Sequence, residues 1–244
     1  MEVGQSYFIW NGVDCRSMGI RTAGPAPIIR PEERVKHITI PGVSGDLTEI
    51  EGNDIYNSYI QTVTIHVKAG MHVRDVYSWL RGSGYVTFSG EPDRKQSARI
   101  VGAITLNRHS RNLDWWSGEV QFYCQPLKEL LIEDPVTVAL GGSIRNFGDV
   151  ASRPLYKITS TAETLDFAVL GNGYSWENRM FIAGLTSGDV VWVDTASMEV
   201  WNADKTALLT KNTMGDFPML PAGQSLIPGN GWSTVEIVKR ERYL

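Results

Sequence analysis

Two stretches of the first half alternate between apolar and polar residues. In residues 61–68 the apolar residues Val63, Ile65 and Val67 alternate with polar ones, which is typical of a strand with one buried face. Residues 35–40 alternate less regularly, with Val35, Ile38 and Ile40 as the apolar positions. Residues 43–59, between them, are rich in Gly, Asn, Asp and Ser with irregularly spaced apolar positions. This composition predicts a long hairpin or an extended loop rather than a core strand, and a solvated connector fits it equally well.

A helical period occurs in residues 71–81. The apolar positions there follow the spacing of one helix face: Val73, Val76, Tyr77 and Leu80. We expect Gly82 to end this helix, which would cover one end or face of a sheet in the first half.

Turn signals place further strands in the first half. Asn11-Gly12 lies between apolar flanks and predicts a type I′ hairpin turn, with a second arm ending at Gly19-Ile20. Pro126 cannot donate a hydrogen bond to a ladder, so a strand through the preceding residues should stop about there. The remaining strands are predicted at residues 85–88, 98–106 and 119–123, with polar turns at 90–96 and 107–114.

The second half shows no helical period. After residue 154, short apolar runs recur at intervals of roughly ten residues, as in a β-sandwich. The predicted strands are residues 155–158, 165–169, 180–182, 190–193, 198–201, 217–220 and 234–238.

Composition is that of a folded chain with many turns: 244 residues, 42% hydrophobic and 20% charged, with 24 Gly and 11 Pro. No apolar run approaches the length that spans a bilayer, and the N-terminus lacks the layout of a secretory signal, so no membrane partner is expected. Cys15 and Cys124 have no C-x-x-C partner and are expected to be free, buried thiols.

Charge argues against a nucleic-acid-binding surface. Residues 1–128 hold 14 basic and 13 acidic side chains, a net charge of +1, and residues 129–244 hold 9 and 14, a net charge of −5. Neither half has the basic surplus that neutralising phosphates requires. DNA is therefore expected only as cargo that passes the protein.

Several short motifs, in order along the chain, resemble the distal tail proteins (Dit) of siphophages, the baseplate hub family. They are F-I-W-N-G-V-D at 8–14, G-I at 19–20, I-P-G-V-S-G at 40–45, F-Y-C-Q-P at 122–126, N-F-G-D-V-A-S-R-P-L-Y-K-I-T-S at 146–160, G-D before V-V-W-V-D at 188–194 and F-P-M-L-P-A-G at 217–223. The resemblance implies a mainly β protein. Residues 1–128 would form a ring-forming β-barrel or sandwich domain with one helix, and residues 129–244 a galectin-like β-sandwich.

The same resemblance implies a virion structural protein, assembled in the host cytoplasm, that forms a homo-hexameric ring at the tail tip or baseplate. Its partners would be the tail tube protein and the tail hub or tail-associated protein, with receptor-binding and tape measure proteins as further candidates. In the family, the region matching residues 43–59 reaches onto the neighbouring subunit. The ring-interface candidates are Val43, Leu47, Ile50, Ile55, Tyr56, Tyr59 and Val63.

No motif for catalysis or cofactor binding is found. The four histidines show no metal-binding spacing, and P-loop, G-x-S-x-G and G-x-G-x-x-G motifs are absent. Asp189 and Asp194 could suggest a glycosidase pair, but their odd offset on one strand places them on opposite faces, so turn and strand-end roles are favoured. The sequence predicts neither an enzyme nor a cofactor.

Two alternatives remain from the sequence. Trp192 and Trp201 on a β-sandwich could bind a glycan by stacking, although Trp201 is, like Trp176 and Trp232, better explained by packing in a core or under loops. A tail tube subunit would share the first domain's architecture but would stack on its own copies to form filaments.

Overall fold

The computed structural model describes residues 6–50, 52, 54–109 and 115–244, and the chain divides into two compact units. The first is Met1–Leu131 together with Leu244, and the second is Ile132–Tyr243. Each unit has its own core of buried apolar side chains. Strands dominate both units, so the mainly β fold class is confirmed.

The first unit contains ten strands, one α-helix and one 3-10 turn among its described residues. In chain order they are β1 Phe8–Trp10, β2 Val13–Asp14, the 3-10 turn Cys15–Met18, β3 Ile20–Thr22, β4 Val35–Thr39, β5 Asp46–Ile50, β6 Tyr59–Val67, α1 Val73–Trp79, β7 Ser83–Phe88, β8 Arg94–Val101, β9 Leu106–Arg108 and β10 Trp116–Leu130. The main sheet runs β2-β1-β7-β8-β10-β6-β3, and β9 also pairs with β10. Positions 110–114 of the predicted turn at 107–114 lie outside the described residues.

The predicted hairpin turn is confirmed, but its second arm is shorter than predicted. Asn11 and Gly12 have φ of 51° and 80°, as a type I′ turn requires, and join β1 to β2. The arm ends at Asp14 because a 3-10 turn begins there, with the Asp14 carboxylate accepting a hydrogen bond from the Arg16 backbone N–H at 2.8 Å. Gly19, at φ 66°, ends that turn and releases β3 to pair with β6.

Strand β10 does not stop at Pro126, so that prediction is wrong. The register between β10 and β8 shifts between Cys124 and Lys128, which leaves Pro126 outside the regular ladder. A residue in such an irregularity has no ladder bond to lose, so proline's missing N–H has no cost there. The strand therefore continues to Leu130.

Helix α1 covers the core as predicted but is shorter. It ends at Trp79, because Leu80 leaves helical geometry with ψ of 67° while its N–H still bonds the Val76 carbonyl. Val76 and Leu80 are buried in the core, whereas Tyr77, predicted on the same face, is exposed. Gly82 therefore follows the helix rather than ending it.

The second unit is built of strands and one 3-10 turn. They are β11 Val136–Ala139, β12 Ser143–Asn146, β13 Leu155–Ser160, β14 Thr164–Ala168, β15 Leu170–Gly171, β16 Arg179–Ala183, β17 Val190–Asp194, β18 Glu199–Asn202, the 3-10 turn Thr210–Asn212, β19 Thr213–Gly215, β20 Gly223–Leu226, β21 Gly229–Asn230, β22 Trp232–Val238 and β23 Arg242–Tyr243. Five strands form the sheet β11-β22-β13-β17-β18, four form β19-β16-β14-β21, and three form β12-β20-β15.

Aromatic contacts join the two larger sheets of the second unit through one core. Phe167 on β14 contacts Tyr156 on β13 at 4.7 Å and Trp232 on β22 at 5.6 Å between ring centroids. The strand predicted at residues 217–220 is absent, and Leu220 instead forms a single bridge with Ser152. Prolines 218 and 221 explain the difference, because neither can donate to a ladder.

The core of the first unit depends on Phe122 of β10, which is fully buried and contacts the rings of Phe8, Trp10 and Phe88 at 5.4–5.7 Å. We expect Phe122→Ala to destabilise this unit by about 3–5 kcal/mol, through lost burial and the cavity left behind. Urea unfolding followed by tryptophan fluorescence measures the effect. Tyr123→Ala, on the exposed face of the same strand, is the control, and equal losses for both variants would contradict this description of the core.

Candidate assembly and partner-binding surfaces

Strands β4 and β5 form a separate two-stranded ribbon, here called the ribbon (residues 35–50). Among the described residues these two strands pair only with each other. All five residues of β5 are exposed, and no side chain of the ribbon belongs to the core of the first unit. The hairpin predicted within residues 43–59 is not found among the described residues, because β5 pairs instead with β4 of the alternating segment 35–40.

The ribbon carries apolar residues on both faces. Ile38 is opposite Leu47 on one face, and Val35 is opposite Ile50 on the other, because an odd offset along a strand reverses the face. Leu47 and Ile50 are 55% and 58% exposed, and Val43, in the connecting turn, is 60% exposed. A ribbon of this kind has little stability of its own in water, so it needs a surface to cover it.

The remaining ring-interface candidates lie where the ribbon joins the sheet. The Ile55 carbonyl accepts a hydrogen bond from the Arg34 N–H at 2.9 Å, and Tyr56 bridges Glu33, so the ribbon's pairing extends to its base. Tyr59 begins β6, and burial raises the pKa of its hydroxyl to about 12. Val63 is only 4% exposed and belongs to the core, so its side chain cannot form part of an assembly surface.

The side of β6 and β10 that faces away from the core forms an exposed surface, here called the outer sheet face. Its cross-strand pairs run from apolar to polar along the strands: Ile60–Tyr123, Thr62–Gln121, Thr64–Glu119 and His66–Ser117. A groove of about 560 Å³ follows the polar part, and Trp115 stacks on His66 with ring centroids 5.9 Å apart. Within the described ranges no group of His, Cys, Asp and Glu residues is arranged to hold a metal ion.

Trp192 and Trp201 are a half-buried cross-strand pair of β17 and β18. The Nζ atoms of Lys205 and Lys157 lie 4.1 and 5.6 Å from the Trp192 ring centroid, and the Trp192 indole donates to the Ala203 carbonyl at 3.2 Å. A sugar stacking on Trp192 would compete with these lysines for the ring. The geometry therefore gives the glycan hypothesis no specific support.

A different aromatic surface of the second unit was missed from the sequence. Phe181 on β16 is directly opposite Met214 on β19, and both side chains are exposed. The Arg179 guanidinium lies 4.4 Å from the Phe181 ring centroid and 5.3 Å from that of Trp176. Trp176 is 55% exposed, so the prediction that it is packed inside is wrong, whereas Trp232 is buried as expected. We call these four residues, Trp176, Arg179, Phe181 and Met214, the aromatic patch.

The carboxylates considered for catalysis hold turns and strand ends. Asp189 accepts a hydrogen bond from the Thr186 N–H at 2.7 Å, and Asp194 accepts two from the Arg240 guanidinium at 2.6 and 2.9 Å. The Arg240 hydrogen bonds lower the pKa of Asp194.

Both cysteines are free and fully buried, and burial raises the pKa of the Cys124 thiol to about 12. No helix in the described part of the chain has the length and apolar character to span a bilayer.

Asp194→Asn tests the structural role of this ion pair. Because the folded-state pKa is lowered, the pair stabilises the fold above the ordinary aspartate pKa of about 3.9 and loses its effect as pH falls through the lowered value. We expect the variant to melt a few degrees below the wild type at pH 7, with the difference closing in acid. Asp204→Asn, at an exposed position, is the control. A difference that persists unchanged in strong acid would contradict this role.

Comparison with known proteins gives a likeness of fold over the whole chain. No protein-family model and no curated protein sequence matches it. Among solved structures, it is similar to the Dit (gp 19.1) protein of phage SPP1, described as a paradigm of the hub adsorption apparatus in phages that infect Gram-positive bacteria. The TM-score is 0.75 and the identity 17%, over 99% of this chain and 100% of that one. The resemblance to distal tail proteins is thus confirmed at the level of the fold.

Proposed function

We propose that this chain is a structural protein of a phage tail, a distal tail protein that forms a homo-hexameric ring between the tail tube and the tail tip or baseplate. The fold shared with the SPP1 hub protein supports this proposal. The observation that carries it is the ribbon, whose apolar side chains are left uncovered on both faces by its own chain.

The ribbon favours a closed ring over a symmetric pair. It is a projecting element of one copy that needs a different surface on the next, and such heterologous contacts close into rings when the rotation is right. Fully burying one Leu or Ile side chain contributes about 1.5–3 kcal/mol, so covering Leu47 or Ile50 in every subunit would favour assembly.

The two units would then have different partners. We propose that the first unit forms the ring, contacts the tail tube protein and leaves a channel for the tape measure protein and DNA, in keeping with its near-neutral charge. The second unit would carry the tail hub, tail-associated or receptor-binding proteins. Its aromatic patch combines Trp, Arg, Met and Phe, the residue types enriched in protein interfaces. The protein would act by geometry, without catalysis.

Negative-stain images of the purified full chain test the ring directly. We expect six-fold rings, and loss of those rings in the double variant Leu47→Asp, Ile50→Asp, because a carboxylate buried in each contact opposes assembly. Met214→Asp, at an even more exposed apolar position in the second unit, is the control and should still form rings. Filaments would favour the tail tube alternative, and particles without six-fold symmetry would contradict the proposal.

Separate fragments test which unit assembles. The division between the units predicts that residues 1–131 form oligomers while residues 132–244 stay monomeric, because the ribbon belongs to the first. Light scattering with the two fragments at matched concentrations gives their masses. An oligomeric second fragment beside a monomeric first fragment would reverse the assignment.

A further inference from the structure

The four-stranded sheet of the second unit ends at β19 in an edge that we call the open edge. Among the described strands β19 pairs only with β16. The Asp216 N–H donates to the Arg179 carbonyl at 2.9 Å, and this register directs the N–H and C=O of Gly215 and the C=O of Thr213 away from the sheet. No other backbone group in residues 115–244 bonds to these three groups, so they are available to a further strand.

The row of side chains across this sheet ends in an uncovered apolar residue. Asp166 of β14 is opposite Phe181 of β16, which in turn is opposite Met214 of β19. Met214 is 74% exposed, because no strand continues the row beyond it. Directly opposed side chains of neighbouring antiparallel strands have Cβ atoms about 4.5–5.5 Å apart, so an apolar residue on an added strand would cover Met214. The charged residues and prolines that commonly protect an edge are absent from β19, whose sequence is T-M-G.

A groove of about 400 Å³ continues from the open edge and is lined by Gly215, by the residues that follow it and by the loop of residues 173–178. Asn178 holds these segments together. Its amide nitrogen donates to the Val169 and Met219 carbonyls, and its amide oxygen accepts from the Met219 N–H, each at 2.8 Å. Because the Asn178 side chain is buried and fully hydrogen-bonded, the groove is formed before any partner binds.

The lining of the groove combines apolar and charged side chains, as a site for a peptide segment does. They are Tyr174, Met198 and Phe217, with Arg153, Glu177 and Asp216. The three charged side chains form no ion pair within residues 115–244. Two carboxylates and one guanidinium favour a segment with a basic side chain over an acidic one.

We propose that the open edge and this groove bind an extended segment of another protein. The segment adds a strand beside β19, places an apolar side chain over Met214 and carries a basic side chain toward the carboxylates of the groove. This inference deepens the role proposed for the second unit, for which it names the kind of partner and the mode of contact, and it does not depend on the ring.

A second copy of this chain does not fit the same site. Its own β19 is only three residues long, and it lies between the 3-10 turn Thr210–Asn212 and Pro218. Such a strand can pair with the open edge but cannot continue in extended form along the groove. An occupant that fills both is a longer linear segment.

Peptide selection on the full-length chain tests this site. The bait carries Leu47→Asp and Ile50→Asp, so that the uncovered ribbon does not attract peptides, and random decapeptides displayed on yeast are sorted for binding to it. We expect the selected peptides to alternate apolar and polar residues and to carry a basic residue. Synthetic copies should lose about tenfold in affinity when Met214→Asp is added to the bait, because a carboxylate opposes an apolar contact. Fluorescence anisotropy measures the affinity.

Leu208→Asp, at another exposed apolar position of the second unit, is the matched control and should leave the affinity unchanged. Backbone methylation of the peptide separates strand addition from apolar contact alone. In an added strand every second N–H faces the open edge, so a scan of single N-methyl residues should lower affinity about tenfold at alternate positions and little between them.

Three results would overturn this proposal. They are a selection without binders, binding that Met214→Asp leaves unchanged, and an N-methyl scan without alternation. A dimer in light scattering that Met214→Asp abolishes would assign the open edge to a second copy and overturn it as well. Each of these results leaves the ring standing, because Met214→Asp is expected to form rings, whereas the absence of rings from the wild-type chain would count against the proposed function and not against this site.

Discussion

The register of β10 is the constraint on which the first unit depends. Its pairing with β6 and β8 directs Phe122 into the core and Tyr123 to the outer sheet face. A slip of one residue would exchange these two rings and expose the core cluster. The same register therefore determines both the stability of the unit and the composition of its exposed surface.

The position of the core residues along β10 explains how the sheet tolerates Pro126 within a long strand. The ladder is regular where Phe122 has to be positioned and irregular only beyond Cys124, where the chain has already contributed its core residues. The local pattern alone predicts a strand end at a proline. In the sheet the strand nevertheless continues, because Pro126 lies in the irregular part of the ladder, where no hydrogen bond from its nitrogen is needed. The tertiary pairing, which a sequence read in isolation does not contain, decides the outcome.

The sequence predicted elements with strong local signals. Alternation identified β6, the Asn11-Gly12 dipeptide identified the first hairpin, and the recurring short runs identified six of the thirteen described strands of the second unit. It was less successful where partners distant in sequence decide the structure. The burial of Val63 follows from strand alternation but conflicted with its choice as an interface residue. Trp176 lies in the turn before β16, and its exposure could not be predicted because the local pattern does not contain the contacts around that turn. The ring stays a prediction, since the structure describes a single copy of the chain.

The uncovered ribbon makes a single subunit prone to aggregation. A newly made subunit presents uncovered apolar side chains and the unpaired backbone groups of two strand edges, which are the features that promote indiscriminate association. If the proposed ring forms, the monomer is the vulnerable species, and a cell producing it would gain from rapid capture of each copy by the next. Production rate and assembly rate would have to be balanced, with surplus subunits as the fraction at greatest risk of aggregation.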